Sequence, residues 1–594
     1  MNYFVKNYPT LFSVNSVQKL RLLSIKKLPI LCTELRSYLI NNINEIGGHF
    51  SSNLGTIELT IAIHYMYNTP FDNLLWDVGH QSYSHKILTG RFKDIFTIGK
   101  KNGLHPFPSC KESKYDSFGT GHSSTTISAG LGMAVAAHKE KKNRKTISII
   151  GDAAIAGGMS LEAINHAASV SSDFLIILND NNMSISNSIG MLKNFFSILT
   201  NKNKSCLFKK KDFYKIICKC GIKYYGPHNG HNIISLVNFL KKLKLVKGIK
   251  LLHITTKKGN GYFPAERNPT KWHFVHLNNK RNKTFSFLIK KKITYSKIFG
   301  NWLCKIAKKD KKVLVITPAM SVGSGIEKFS KLFPKQYFDV GIAEQHAVTF
   351  AAGLASKKYK PIVAIYSTFL QRAYDQIIHD VSIQNLPILF VIDRAGIVGH
   401  DGKTHQGMFD LTYLRCIPNF IVMAPSNGNE FIKMLNTGYL HFNKPIAIRY
   451  PKKEFKNDII YSSETIKIGK ALIKRIGKKA AILNFGSLFS SVEKVSKRLN
   501  FTLVDMRFIK PLDISLILLL AKNYNFLITV EEGIVSGGAG SSVNELLMLN
   551  KINVSVLNIG LPDKFVSHGS QNEIKKKIKL DSKGIQERIE TWLN

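Results

Sequence analysis

Acidic residues are scarce in this chain of 594 residues: 39 Asp and Glu face 84 Lys and Arg, which gives a formal charge of +45. Long hydrophobic runs are also missing, since the longest, near 516–521, falls far short of the ~18 residues that a membrane-spanning helix needs. The seven cysteines are few and odd in number, which argues against a disulfide framework and favours a reducing compartment. These absences predict a soluble chain with no membrane partner.

The positive charge raises the question of nucleic-acid binding, because a basic surface is the electrostatic footprint of phosphate recognition. However, the lysines lie in short scattered runs without the interleaved aromatic residues of a base-stacking surface. Lys, Asn, Ile and Phe are abundant together, as expected from an A·T-rich genome. We therefore predict a surface that stays soluble through self-repulsion, with no specific nucleic-acid partner.

Composition and pattern describe a folded protein of several domains. Hydrophobic residues make up 44% and charged residues 21%, close to the globular average. Short apolar runs that end in Gly, Asp or Asn alternate with helical patterns, which is typical of βαβ units with mostly parallel sheets. We predict an α/β fold of three domains, 1–290, 291–455 and 456–594, with linkers at 278–292 and 451–464.

Buried strands are predicted where apolar runs lie between turn residues. In the first domain they lie at 146–150 and 174–178, around a helix at about 159–170. The other two domains have predicted strands at 361–366, 387–392, 420–424, 480–485, 501–504, 526–530 and 554–559.

Two polar segments directly follow the predicted strands of the first domain. Asp152 comes after one strand and Asn181 after the next. Ligands bind at the carboxyl ends of strands in open α/β sheets, so both side chains can converge on one cation. Carboxylate and amide oxygens suit Mg²⁺, which is usually shared with substrate phosphates. The alternative is that both segments are ordinary turns.

These segments resemble the thiamine diphosphate motif, GDG followed downstream by Asn-Asn or Asn-Asp-Asn. Other runs are similar to the 1-deoxy-D-xylulose-5-phosphate synthase family: GGHFSSNLGTIELTIAIHY from Gly47, WDVGHQSYSHKILTGR from Trp76, FDVGIAEQHAVTFAAGLA from Phe338, DRAGIVGHDGKTHQG from Asp393 and VEEGIVSGGAGSSVNE from Val530. The resemblance covers nearly the whole chain and is weakest over 191–287.

The resemblance implies a transketolase-like enzyme that uses thiamine diphosphate and Mg²⁺. Its substrates would be pyruvate and D-glyceraldehyde 3-phosphate, and its product would feed isoprenoid, thiamine and pyridoxal synthesis. The three domains would be a diphosphate-binding domain, a pyrimidine-binding domain and a transketolase-like C-terminal domain. A homodimer is also implied.

Catalytic roles are carried over only onto matching positions. Glu344 matches the family carboxylate that hydrogen-bonds the aminopyrimidine ring of the cofactor. His49, His273 and His405 match histidines at the reacting centre, where imidazole can donate to oxyanions and move protons near neutral pH. Asp401 matches the residue that binds the hydroxyl or aldehyde of the acceptor.

A second group of positions matches the cofactor and metal contacts of the family. The implied cofactor contacts are His80, Gly121, His122, Ser123, Ala153, Ala154, Asn181, Tyr262 and Glu344, and the implied metal ligands are Asp152, Asn181 and the Met183 carbonyl. Ala153 stands where the family has Gly, and Asn182 where it usually has Glu. An alanine is tolerated at position 153 if the backbone there is helical rather than at positive φ.

Substrate contacts are implied for Tyr366, Arg372, Arg394 and Lys452. Lys452 stands where the family carries an Arg that binds the acceptor phosphate. Lysine keeps the charge but loses the two-pronged geometry of a guanidinium, so we expect a weaker hold on the acceptor.

Two alternatives to the synthase function are a transketolase, which uses sugar donors, and a non-catalytic basic protein that has drifted at Ala153 and Lys452. The family-like sequence begins at Tyr8 and leaves no room for a transit peptide, which favours a bacterial cytoplasm over a plastid.

Overall fold

The computed structural model describes residues 6–181, 219, 221–275, 293–455 and 459–594. The chain forms two compact units, Met1–Thr284 and Phe285–Asn594. Within the described ranges, no helix has both the length and the apolar character needed to cross a membrane.

A parallel sheet forms the centre of the first unit, with strand order β2-β3-β4-β6-β5. A separate antiparallel ribbon pairs β1 with β7. The strands of this unit are β1 Gly48–His49, β2 Asn73–Trp76, β3 Thr146–Gly151, β4 Phe174–Asp180, β5 Lys223–Asn229, β6 Ile249–Thr255 and β7 Phe274–Val275. The strands predicted at 146–150 and 174–178 are confirmed as parts of β3 and β4.

Both faces of this sheet are covered, which is why its strands appear in the sequence as continuous apolar runs. Ile147 and Ile149 of β3 pack into one core, and Ile150 faces the other, as the alternation of side chains along a strand requires. The described helices of the unit are α1 Pro9–Ser13, α2 Val17–Arg21, α3 Leu28–Ile46, α4 Ser51–Leu54, α5 Ile57–Met66, α6 Tyr83–Lys86, α7 Thr126–Lys139, α8 Asp152–Ile155, α9 Gly158–Ala167, α10 Ile233–Leu243 and α11 Phe263–Arg267.

The second unit contains two larger sheets and a ribbon. One sheet has the order β10-β9-β11-β12-β14-β13-β19, the other β16-β18-β17-β20-β21, and β15 pairs with β8. Only β19 and β16 run antiparallel to their neighbours in the two larger sheets. The strands are β8 Ile293–Thr294, β9 Val313–Thr317, β10 Tyr337–Asp339, β11 Lys360–Tyr366, β12 Leu389–Asp393, β13 Ile421–Met423, β14 Ile446–Arg449, β15 Glu454–Phe455, β16 Leu472–Arg475, β17 Ala480–Phe485, β18 Thr502–Asp505, β19 Phe508–Lys510, β20 Phe526–Ile534 and β21 Ser555–Leu561.

Helices cover these sheets in turn. Those described are α12 Tyr295–Lys309, α13 Glu327–Leu332, α14 Glu344–Ser356, α15 Ser367–Leu370, α16 Tyr374–Gln376, α17 Asp410–Cys416, α18 Gly428–Leu440, α19 Phe489–Leu499, α20 Ile514–Asn523, α21 Ala539–Leu549, α22 Gln571–Lys577 and α23 Ser582–Leu593. The α/β class with mostly parallel sheets, predicted from the sequence, is confirmed.

Several strands fall where none was predicted, including β2, β6, β9 and β14. Two further ones, β15 and β19, are short and bear on the expected domain boundary. β15 lies inside the stretch 451–464, which was expected to be a linker, and Glu454 pairs there with Thr294. β19 lies in the predicted third domain, which begins at residue 456. Its Lys510 nevertheless pairs with Val422, in a sheet whose other strands all lie in the predicted second domain. Each of these two strands has two or three residues, too few to give a periodic signal.

Candidate active site

The five strands of the sheet in the first unit are parallel and end at one edge, and four of them, β2, β3, β4 and β6, lead into predicted or candidate site residues. Asp152 directly follows β3, Asn181 directly follows β4, and Gly151 is paired with Asn179. The prediction that Asp152 and Asn181 lie at the same edge is confirmed. His80 and Lys258 follow β2 and β6 within a few residues, so polar groups from all four strands collect at this edge.

Three histidines meet beside this edge. The ring centroids of His49 and His273 are 5.2 Å apart, those of His49 and His80 5.7 Å, and those of His80 and His273 5.9 Å. Antiparallel pairing of β1 with β7 sets this arrangement, since it places His49 opposite Phe274. Two predicted catalytic histidines and one predicted cofactor contact therefore lie together.

Burial favours the neutral imidazoles of His80 and His273. It lowers the pKa of His80 and of His273 well below the usual value, and the charges of His49 and Lys258 lower both further. The Nδ1 atoms of His80 and His273 are buried and have no hydrogen-bond partner among the described residues. Neutral imidazoles with an unpaired ring nitrogen can bind a polar group of a ligand.

Lys258 is a charged residue of this edge that the sequence analysis did not single out. Its side chain is buried, with the residue only 6% exposed, and burial lowers its pKa to about 8 although the Asp152 carboxylate acts in the opposite direction. Gly259 and Gly261, both at positive φ, follow it and allow the tight turn that carries it. In the sequence, the two closely spaced glycines are the feature that could have indicated this turn.

A buried carboxylate orders the segment that contains Gly121, His122 and Ser123. Asp77 accepts hydrogen bonds from the backbone N–H groups of Ser124 at 2.8 Å and Thr125 at 3.1 Å. The next residue, Val78, has a φ of 57°, which is costly for a β-branched side chain and persists only where surrounding contacts impose it. The loop before His80 is therefore held in a strained conformation.

Asn53 ties the two histidine segments together, and the sequence analysis missed it. Its Nδ2 donates to the carbonyl oxygen of His49 at 2.5 Å and to that of His80 at 2.9 Å. Its Oδ1 accepts from the Tyr83 backbone N–H at 2.7 Å. All three bonds are to main-chain groups, so a sequence motif gives little sign of them.

The remaining predicted positions of the first unit differ in their surroundings. Ala153 and Ala154 lie in the helical turn α8, where alanine adopts the backbone without strain. Tyr262 packs between Phe50 and Trp272, with ring centroids 5.6 and 5.1 Å away. Met183 lies outside the described residues, as does Asn182. Over the part of the chain that the structure describes, no group of three His, Cys, Asp or Glu side chains is arranged for a metal.

In the second unit, Glu344 begins helix α14 and is only 2% exposed. Burial raises the pKa of its carboxyl group, and the Arg372 guanidinium lowers it again. The Arg372 Nε lies 3.5 Å from the Glu344 Oε2. Arg372, predicted to contact substrate, is therefore placed beside the predicted catalytic carboxylate.

A second cluster follows strands β11 and β12. The Arg394 guanidinium lies 3.7 Å from the centroid of the Tyr366 ring and forms an ion pair of 3.0 Å with Asp393. Burial lowers the pKa of the Lys452 ammonium, Arg394 lowers it further, and the carboxylate of Asp401 opposes this. The structure thus brings together Tyr366, Arg394, Asp401 and Lys452.

His405 lies near this cluster across one aromatic ring. Phe369 is 5.4 Å from the His405 ring and 6.0 Å from the Tyr366 ring, between centroids. The Nδ1 of His405 is 2.9 Å from the Thr404 hydroxyl. The predicted residues of the second unit thus form two groups, one around Glu344 and one around Arg394.

Glu532, on strand β20, anchors the loop that carries Asp401 and His405. It is fully buried, accepts from the Ile397 backbone N–H at 3.1 Å, and pairs with Lys575 at 3.1 Å. These partners are distant in sequence, so the sequence alone gave no reason to connect them. The C-terminal sheet therefore contributes to the order of this loop.

Family models match most of the chain. A model described as 1-deoxy-D-xylulose-5-phosphate synthase matches residues 11–217 and 208–256. The transketolase pyrimidine-binding domain matches 291–457, and the transketolase C-terminal domain matches 469–585. These matches confirm the transketolase-like fold that the resemblance implied.

Full-length relatives carry the same description. The 1-deoxy-D-xylulose-5-phosphate synthase of Buchnera aphidicola subsp. Schizaphis graminum is 57% identical over 594 residues, covering 100% of both chains. That of Yersinia pseudotuberculosis is 52% identical over 619 residues, again covering 100% of both. A solved transketolase from Campylobacter jejuni gives a TM-score of 0.43 and 18% identity over 96% of this chain and 100% of that one. The full-length identity shows that the chain belongs to the 1-deoxy-D-xylulose-5-phosphate synthase family.

Proposed function

We propose that this chain condenses pyruvate with D-glyceraldehyde 3-phosphate to give 1-deoxy-D-xylulose 5-phosphate and carbon dioxide. It is a transferase of the transketolase type. In the overall reaction the bond between C1 and C2 of pyruvate breaks and carbon dioxide leaves. The two-carbon unit bonds to the aldehyde carbon of the acceptor, whose oxygen gains a proton. The observation that carries the proposal is the meeting of His49, His80 and His273 beside the sheet edge that holds Asp152 and Asn181.

The transketolase-type domains imply dependence on thiamine diphosphate. The residues present fit this cofactor. The buried, unpaired Nδ1 atoms of His80 and His273 can meet its polar groups, and the Lys258 ammonium can offset diphosphate charge. When bound, thiamine diphosphate supplies the electron sink that decarboxylation of pyruvate requires.

Mg²⁺ belongs to the same proposal. Asp152 and Asn181 provide a carboxylate and an amide oxygen at neighbouring strand ends, a donor set suited to a hard cation shared with phosphate oxygens. We assign the third protein ligand to the Met183 carbonyl, on the resemblance alone.

Glu344 is assigned the hydrogen bond to the cofactor ring. Burial favours its protonated form while Arg372 favours its ionised form, so the carboxyl group is placed to hold or release a proton at its Oε atoms. Arg372 acts beside it through this ion pair.

The acceptor is assigned to the cluster around Arg394. Arg394 and Lys452 supply two positive charges for its phosphate, and Asp401 accepts from a hydroxyl group. Tyr366 holds the guanidinium plane of Arg394. On the resemblance, we assign proton transfer to His49 and His273 of the first unit and to His405 of the second.

Three further assignments concern the domains, the oligomeric state and the location of the protein. We propose the three-domain division at 290 and 455, a homodimer, and a bacterial cytoplasmic location, which the bacterial relatives support. Light scattering of the purified chain after gel filtration tests the dimer, because a monomeric mass contradicts it.

Release of carbon dioxide from pyruvate tests the function. We expect release that requires thiamine diphosphate, Mg²⁺ and the acceptor, and that falls about 100-fold or more in Glu344→Gln, where the proton-holding group is lost. Transfer from xylulose 5-phosphate without any reaction of pyruvate would instead identify a transketolase. Cofactor binding with neither reaction would leave a non-catalytic family member.

A further inference from the structure

A cavity of about 690 Å³ opens at the amino edge of the sheet in the first unit. It lies where the loop after helix α7 leads into β3, where Asp173 precedes β4, and where Gly248 precedes β6. The strands are parallel, so this edge is opposite the one that holds Asp152 and Asn181. The cavity therefore belongs to no part of the catalytic proposal.

Positive charge dominates its lining. Lys141, Arg144 and Lys247 line the cavity, and none of them has a described carboxylate within ion-pair distance. The nearby Glu140 carboxylate is paired with Lys142 at 2.7 Å and acts on Arg144 from a longer distance. Lys145 also lines it but is paired with Asp173 at 2.6 Å. The carboxyl end of helix α7 brings a partial negative charge of about half a unit, which three unpaired cations outweigh.

Two buried donors in this lining have no partner. Ser172 is 6% exposed, and its Oγ makes no hydrogen bond to a described residue. The Arg144 Nε is likewise buried without a partner, while its guanidinium lies 4.9 Å from the Phe71 ring centroid. Buried donors are rarely left unpaired. An acceptor group of a ligand at this position would form the missing hydrogen bonds.

We propose that this cavity binds an organic anion that carries two or more phosphate groups. Its volume is in the range of small-molecule sites and far exceeds what one phosphate fills. Arg144, Lys141 and Lys247 would neutralise the phosphates, Ser172 would donate to one of their oxygens, and Ala134 and Ala137 form an apolar wall for the organic part. The site is independent of the catalytic assignment.

Calorimetric titration with inorganic pyrophosphate, in EDTA so that the proposed magnesium site is not formed, tests the anion subsite. We expect saturable binding that Lys141→Gln with Lys247→Gln weakens at least about tenfold, since two charge-assisted contacts are lost. Lys26→Gln with Lys27→Gln removes the same charge from an exposed turn and should change the affinity less than about twofold. Equal losses in both pairs, or no saturation below about 1 mM, would overturn the proposal.

Two single variants locate the binding. Ser172→Ala should weaken pyrophosphate binding about three- to tenfold, for one lost hydrogen bond, while the ligand-free protein melts at the same or a higher temperature. Lys258→Gln should leave pyrophosphate affinity unchanged, because Lys258 lies at the opposite edge of the sheet. Loss of binding in Lys258→Gln would place the anion at that edge and overturn the proposal, whether or not the chain has synthase activity.

Discussion

At the scale of single residues, Lys452 is proposed to bind the acceptor phosphate at a position where the resemblance implies an arginine. Its ammonium is buried beside Arg394, and both burial and that neighbour lower its pKa. Repulsion between the two cations is relieved when a phosphate lies between them. A lysine contacts such a phosphate through one centre, whereas an arginine offers two parallel donors.

Restoring the arginine should therefore strengthen acceptor binding. For Lys452→Arg we expect the KM for D-glyceraldehyde 3-phosphate to fall about three- to tenfold, the gain of one hydrogen bond. Steady-state kinetics measure this, with the KM for pyruvate as the internal control. An acceptor KM equal to that of the wild type would remove Lys452 from the phosphate site.

At the scale of elements, a buried ion network supports the wall beside the histidines. Asp116 accepts from both guanidinium NH groups of Arg91, at 2.9 Å each, and from the Ser109 backbone N–H at 2.8 Å. The segment held in this way carries Phe107, whose ring centroid is 5.9 Å from that of His49. The network therefore helps to hold Phe107 in its position beside His49.

Breaking this network should cost stability and activity together. Asp116→Asn removes the carboxylate that pairs with both Arg91 and His85 and leaves Arg91 with Glu112, so we expect the free energy of unfolding in urea to fall by about 3 kcal/mol. Asp94→Asn changes the same charge at an exposed position and should shift it by less than about 0.5 kcal/mol. Similar losses in the two variants would contradict a role for the network.

Glu531 fixes the start of helix α21. Its carboxylate accepts from the backbone N–H groups of Ala539 at 2.9 Å and Gly540 at 2.8 Å, but burial outweighs these bonds and raises its pKa to about 7, from 4.5. The unfolded chain ionises this group first, so its contribution to stability is lost as pH rises from 4.5 to 7.

Replacing Glu531 with a residue that does not titrate should remove its contribution to the pH dependence of stability. The unfolding free energy of the wild type minus that of Glu531→Gln should decrease by about 3 kcal/mol between pH 4.5 and 7.5, because each pKa unit corresponds to 1.36 kcal/mol. Urea unfolding at several pH values measures the difference. Parallel curves for the two proteins would show that Glu531 does not titrate in this range.

At the scale of the whole molecule, the charge of +45 opposes the compact state through self-repulsion. Raising NaCl from 0.1 to 1 M shortens the Debye length from about 10 to about 3 Å, so we expect the melting temperature to rise by a few degrees. Calorimetry with sucrose at equal osmolality separates screening from a general solute effect. A lower melting temperature in salt would show that ion pairs outweigh the repulsion.

The sequence predicted the parts of this molecule whose signal is local. Strands β3 and β4 were found within one or two residues because buried parallel strands are continuous apolar runs. Strands β15 and β19 were missed because pairing with distant residues creates them, whereas β6 and β9 were missed although they are buried. In the candidate site, the motif around Asp152 was visible, whereas Asn53 and Glu532 act through main-chain contacts with remote segments.

Strand β19 also limits how the chain can be divided. Phe508–Lys510 closes the edge of a sheet whose other strands all precede residue 450, by pairing with β13. A chain cut at 455 would leave Ile421–Met423 as an open apolar edge, ready to pair with a second molecule. The sheet that precedes residue 455 is therefore complete only when the chain continues to Phe508–Lys510.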